Sequence, residues 1–291
     1  MQVAFHLGAH STDEDRLVKT LLRNNDVLAA ADIAVPSPMR YRMVLRDALV
    51  ALKGHPADRA TQETVLDAVT EQDNLRRIVF SHEFFLGIPQ RVISEDGFYG
   101  HAAAKLQPLA NLFPEAETEF HMALVNPAVL IPALIGRIEG ASAESVLSGH
   151  DPRALRWAPV VRAMVRAAAG RRFVIWCHED TPLIWPEVLR NLAGLPADQL
   201  LAGDFTILAM IMSPEGLERL KTYLASHPPQ SVAHRRRIVT AFLDKFALPE
   251  RLETEISLPG WTEALVDDIT AAYDADVAEI AAMPGVTFIT P

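Results

Sequence analysis

The sequence predicts an α/β fold with a mostly parallel central sheet flanked by helices and a helical C-terminal portion. Two observations carry this. Short runs rich in β-branched and aromatic residues recur along the first two thirds of the chain, each separated from the next by longer stretches of helical periodicity. From Thr181 onward the strand signal nearly vanishes.

The first strand is expected at 3–7, in Val3-Ala4-Phe5-His6-Leu7. A helix over 14–31 follows, because Leu17, Leu21, Leu22 and Leu28 fall on one face and Asp13, Glu14 and Asp15 enrich its first turn, where the helix dipole favours carboxylates. Periodicity then gives helices at 39–53 and 57–70, a strand at 77–81 and a helix at 102–112. A strand at 119–125 leads through Asn126-Pro127 into a helix at 128–138, and a helix at 154–169 precedes a strand at 172–177. Strands alternating with helices read as parallel crossovers. The C-terminal part reads as helices at 183–195, 214–226, 232–246 and 262–283, punctuated by Pro228-Pro229 and Pro259-Gly260, with a last short strand at 286–289. No repeat or composition shift marks a linker, so a single domain is expected over 1–291, with helical additions over about 183–283.

Apolar residues make up 49% and charged residues 22%, the balance of a folded globular chain. The net charge of −10 argues against nucleic acid or an anionic membrane as a partner. The start, Met1 to His6, lacks a basic segment followed by a long apolar run, and no window reads as a membrane span, so neither a signal peptide nor a span is expected. A single cysteine, Cys177, leaves no disulfide framework, which fits a reducing cytoplasm.

In an open parallel sheet, ligands bind where the loops leave the carboxyl ends of the strands. Those loops carry His10 after the first strand, Ser81-His82-Glu83 after the second, Asn126-Pro127 after the third and His178-Glu179-Asp180 after the fourth. His82 or Glu83 could act as a general base, or Glu83 could cap helix N–H groups while His82 bonds a neighbouring loop. A metal reading takes His6, His10, His82 and His178 with Glu83, Glu179 or Asp180, but His6 and His10 bracket a strand end rather than share a helix face, and no metal is favoured. The basic run His234-Arg235-Arg236-Arg237 could bind phosphate or sulfate if it faces the crevice, or form a solvated helix face. Trp157, Trp176, Trp185 and Trp261 could line a pocket or anchor packing.

The segment from Phe5 through His6-Leu7-Gly8-Ala9-His10-Ser11 to Thr12, followed by a Leu-rich helix, resembles the opening of bacterial sulfotransferases. The resemblance extends to Val79-Phe80-Ser81-His82-Glu83-Phe84-Phe85, to Ala123-Leu124-Val125-Asn126-Pro127, to the segment from Glu179 through Gly194 and to Tyr273-Asp274-Ala275-Asp276-Val277. It implies a P-loop sulfotransferase fold, 3′-phosphoadenosine 5′-phosphosulfate as cofactor, and transfer of a sulfuryl group to a small hydroxylated acceptor. Gly8, Ala9, His10, Ser11 and Thr12 would then cradle the phosphosulfate, with Asn126 at the second cofactor loop, His82 or Glu83 as base and Arg236 as a compensating cation. The chain departs from the family where a Lys or Arg with Thr, Gly, Thr and Thr is usual, offering Ser11, Thr12, Asp13, Glu14 and Asp15. Val125 and Ala133 stand where the family holds the 3′-phosphate with Arg and Ser, and the first cation of that helix is Arg137. Two alternatives therefore stand beside sulfuryl transfer: a divergent member that binds another ligand or partner without catalysis, and a metal-dependent hydrolase.

Overall fold

The computed structural model describes residues 1–72, 74–252, 256 and 258–291 of the chain. Its strands are β1 (Gln2–His6), β2 (Ile33–Ala34), β3 (Arg77–Ser81), β4 (Ile93–Ser94), β5 (Gly97–Phe98), β6 (Glu117–Leu124), β7 (Phe173–Cys177) and β8 (Val286–Ile289). Six of them form one all-parallel sheet in the order β2-β3-β1-β6-β7-β8, and β4 and β5 pair as a small antiparallel hairpin. The α/β class and the parallel sheet follow the sequence reading, and β3 and β8 coincide with it residue for residue.

Side chains alternate between the two faces of the sheet. Val3, Phe5, Phe80, Phe120 and Phe173 point to one face, where Phe5 stacks between Phe80 at 5.5 Å and Phe120 at 6.0 Å. Helices Pro38–Leu52, Arg59–Val69, Ala102–Ala110, Pro127–Arg137 and Trp157–Ala168 cover this face. Ala4, Val79, Ala123, Val174 and Trp176 point to the other face, under helices Arg16–Leu22, Asn25–Ala30 and Thr181–Ala193. Burial on both sides explains why the strands read as continuous apolar runs. Leu208, Met212, Leu217, Leu220 and Val239 form a smaller separate core among the C-terminal helices.

The second face also buries a polar row. Arg77, only 2% exposed, pairs with Glu119 and donates to Leu192 O at 3.0 Å, while His121 Nε2 meets Glu119 Oε1 at 2.8 Å and His6 Nδ1 meets Ser81 Oγ at 2.8 Å. Gly194 ends helix Thr181–Ala193 with φ +67°, and a Cβ there would come within 2.8 Å of Arg77 Cδ. Only glycine satisfies both the left-handed turn and the arginine beneath it.

The expected helix over 14–31 divides into Arg16–Leu22 and Asn25–Ala30. The cause lies at Asn24, whose side-chain amide donates to Thr20 O at 2.8 Å and to Ala202 O at 2.9 Å and accepts from Ala202 N–H at 2.7 Å. A side chain that bonds backbone in this way competes with the helix ladder. Glu14 and Asp15 take left-handed φ values of 51° and 63°, so they lie before the helix rather than in its first turn. Among the described residues, no helix is long and apolar enough to cross a membrane.

Candidate functional site

The helix leaving β1 covers one face of the sheet, whereas the segments leaving β3 and β6 on either side of it cover the other. The loop after β1 thus diverges from both neighbours, which makes Gly8–Thr12 the switch point of the sheet. His82 and Glu83 lie beside it at the end of β3, and Asn126 at the end of β6.

Most of the loop's polar groups are occupied by the protein itself. Ala9 N–H donates to Ala123 O at 3.1 Å, and Gly8 O accepts from Ala123 N–H at 2.9 Å, so the chain stays bound to β6 beyond the strand. His10 N–H donates to the Tyr99 hydroxyl at 3.1 Å, that hydroxyl donates to His10 Nδ1 at 2.9 Å, and His10 Nε2–H donates to Gly87 O at 3.0 Å. This set fixes one neutral tautomer, and burial holds His10 down at about 4. Ser11 N–H points to Glu83 Oε2 at 3.5 Å, and the Thr12 hydroxyl donates to Ala9 O at 2.7 Å. The resemblance puts His10 against the cofactor; its ring and backbone N–H are instead spent on Tyr99 and Gly87.

Two carboxylates sit where an external anion would be expected. Glu83 pairs with Arg137, whose Nη1 donates to Glu83 Oε2 at 2.8 Å and to Ser11 Oγ at 3.3 Å. Burial alone would raise the Glu83 carboxyl, but Arg137 and His10 hold it below the ordinary carboxylate range. A low-lying carboxylate locked by a guanidinium is a poor general base. Asp13 accepts from Leu17 N–H at 2.8 Å at the start of helix Arg16–Leu22. Burial pushes its carboxyl up to about 7, against the pull of that hydrogen bond and of Arg16. Gly8 lies against Glu83 with φ +96°; a Cβ there would stand 3.2 Å from Glu83 Cα.

Asn126 is equally committed. Its Oδ1 caps helix Pro127–Arg137 by accepting from Ala128 N–H at 2.9 Å, its Nδ2 donates to Thr270 Oγ1 at 2.9 Å, and its N–H donates to Glu179 Oε1 at 2.8 Å. Tyr273 donates to the other Glu179 oxygen at 2.9 Å. Among the described residues, Arg236 makes no hydrogen bond or ion pair with the β1 loop. Its Nε lies 3.6 Å from Glu187, and it lines a shallow cavity with Leu183, Arg237 and Asp244. The cation that reaches the loop is Arg137, from the helix after β6. Among the described residues, no group of three or more His, Cys, Asp and Glu comes together to hold a metal ion. Trp157 donates to Val125 O at 2.8 Å and Trp185 to Gly203 O at 3.0 Å, both as packing anchors.

His82 faces a different environment. It lines a cavity of about 750 Å³ between helices Pro38–Leu52 and Ala102–Ala110, with Phe84, Phe85 and Ile88 at the same end. Its buried Nδ1 has no hydrogen-bond partner. Burial and then the nearby Arg42 cation lower it to about 4, so it is neutral at pH 7. The size lies within the range of small-molecule sites. Sequence reasoning found His82 but missed the cations around this cavity, Arg42, Arg46, Lys53 and Lys105. Three of them recur at helical spacing along 42–53, a signal that reads as a solvated face until the second helix is in place.

No protein-family model matches the chain, and no match was found among curated proteins.

Proposed function

We propose that the chain is a ligand-binding protein on a P-loop sulfotransferase-like frame, in which its own carboxylates close the cofactor loop and the cavity beside His82 takes the ligand. The observation that carries this reading is the occupancy of the loop: Ala9, His10 and Ser11 N–H groups all point to protein acceptors, and Glu83 already neutralises Arg137. An incoming phosphosulfate would have to displace Glu83 and approach Glu14 and Asp15, each a like charge. The resemblance at Phe5–Thr12 and at the β3 and β6 ends supports descent from the sulfotransferase frame, and descent does not bring chemistry with it.

The test is thermal unfolding of the full chain with and without 3′-phosphoadenosine 5′-phosphate. The expected result is no shift. Saturable stabilisation, which would reach about 2.7 kcal/mol at a hundredfold excess over Kd, overturns the closed-loop reading.

A second reading, sulfuryl transfer, is favoured by one contact: Arg137 stands 3.3 Å from Ser11 Oγ and could replace the missing loop cation once Glu83 turns away. An acceptor hydroxyl in the adjacent cavity would attack sulfur and break the bond from sulfur to the 5′-phosphate oxygen, its proton passing to His82, a weak base at about 4. Positioning and charge stabilisation would supply most of the rate. Nucleotide-dependent stabilisation, followed by sulfation of an acceptor, is the outcome that establishes it.

A further inference from the structure

The cavity beside His82 is unlike the rest of the surface in its charge. The chain carries 37 carboxylates against 27 Lys and Arg, yet among the described residues no Asp or Glu lines this cavity, while Arg42, Arg46, Lys53 and Lys105 do. Arg42 lies 3.9 Å from Asp15 and is partly answered by it. Arg46, Lys53 and Lys105 have no ion-pair partner among the described residues. The walls between these cations are apolar: Leu45 and Leu49 on one helix, Pro108 and Leu109 on the other, with Phe84 and Phe85 closing the β3 end. Met43, Val50 and Ile88, 58%, 68% and 48% exposed, carry the apolar surface out to the mouth. From Arg42 to Lys53 the helical rise spans about 16 Å, long enough for an extended apolar body to lie along one helix face.

Each simpler ligand class leaves part of this lining unsatisfied. A cation meets three unpaired cations, a neutral apolar molecule leaves those charges unanswered, and a small polar anion leaves the leucine and proline walls facing water. We propose that this cavity binds an amphiphilic anion, an extended apolar body carrying one acidic head group, with Arg46, Lys53 and Lys105 taking the head and the facing helix walls taking the body. This names the ligand class for the binding reading above but rests on the cavity alone; a nucleotide shift would overturn the closed loop and leave this inference standing.

Titration calorimetry of the full chain tests it with decanoate below its micellar concentration, alongside decan-1-ol and protonated decylamine as neutral and cationic probes of equal length. Decanoate is expected to bind at one molecule per chain, with decan-1-ol weaker by about tenfold or more and decylamine weaker still. The triple variant Arg46→Gln, Lys53→Gln, Lys105→Gln changes only exposed side chains and is expected to reduce decanoate to the affinity of decan-1-ol while leaving decan-1-ol unchanged. Ala104→Phe, which adds a ring to the cavity wall from an exposed helix position, is expected to abolish binding of both. Equal binding of the three probes, indifference to both variants, or no binding from octanoate through tetradecanoate overturns the proposal. Sedimentation with anionic phospholipid vesicles in the absence of decanoate binding overturns it as well, in favour of a membrane surface.

Discussion

Two regions at the strand ends carry opposite solutions to the same problem. Around the β1 loop, every charge and most backbone donors are answered from within: Arg137 by Glu83, His10 by Tyr99 and Gly87, and the start of helix Arg16–Leu22 by Asp13. Around the cavity beside His82, among the described residues, cations cluster without a carboxylate in the lining and a buried imidazole nitrogen lacks a partner. The first region has the position of a cofactor site in the fold but the interactions of a finished structural joint. The second lies off the switch point but keeps unsatisfied chemistry. Position in a fold indicates where a site can be, and unsatisfied groups indicate where to test for one.

The largest expected effect comes from breaking the joint at Glu83. In Glu83→Ala the Arg137 guanidinium loses its partner and Ser11 N–H its nearest acceptor, which is expected to cost about 2–3 kcal/mol of stability in urea unfolding. The same variant removes the carboxylate from the loop, so inorganic sulfate should stabilise it and leave the parent chain unaffected. A variant as stable as the parent, or one indifferent to sulfate, would show that the loop is not held by this ion pair and would erase the contrast between the two regions.

A smaller effect is expected at Gly8. Its φ of +96° and the 3.2 Å that would separate an added methyl from Glu83 Cα leave little room for a side chain. Gly8→Ala is expected to lose about 1–2 kcal/mol in the same measurement, from backbone strain and the displaced Glu83. It should leave decanoate binding at the cavity unchanged, since Gly8 does not line it. Loss of decanoate binding in Gly8→Ala would mean that the two regions are one site.

The framework was legible because it is local. Two-residue alternation and continuous apolar runs mark the 77–81 and 286–289 strands to the residue, and Pro127 after Asn126 marks its helix start. What was not legible depends on partners far along the chain. Tyr99 settles His10 from 89 residues away, and Ala202 breaks the first helix through Asn24 from 178 residues away. The two-residue strand β2 is too short to show a period. Arg236 and Arg137 are equivalent as sequence, each a cation on a helix; only the crossing of helix Pro127–Arg137 over the loop decides that Arg137 is the one that meets Ser11.

The finest test of the contrast is the pH dependence of Asp13. Its carboxyl is raised by burial from 3.8 to about 7, so the folded chain holds that proton more tightly than the unfolded chain does. Its contribution to stability is therefore fully present below about pH 4 and is lost as pH rises through 7. The buried histidines act in the reverse sense: His10 and His82, lowered from 6.5 to about 4, contribute stability above pH 6.5 that is lost as pH falls toward 4. Subtracting the profile of Asp13→Asn from that of the parent isolates the Asp13 part, because asparagine keeps the oxygen that caps Leu17 N–H and removes the titration. The variant is expected to gain on the order of 1 kcal/mol relative to the parent between pH 6 and pH 8. A difference that is flat with pH would mean that Asp13 is an ordinary solvated carboxylate. The space at the start of helix Arg16–Leu22 would then be open to an external anion, and the sulfuryl-transfer reading would gain what the closed-loop reading loses.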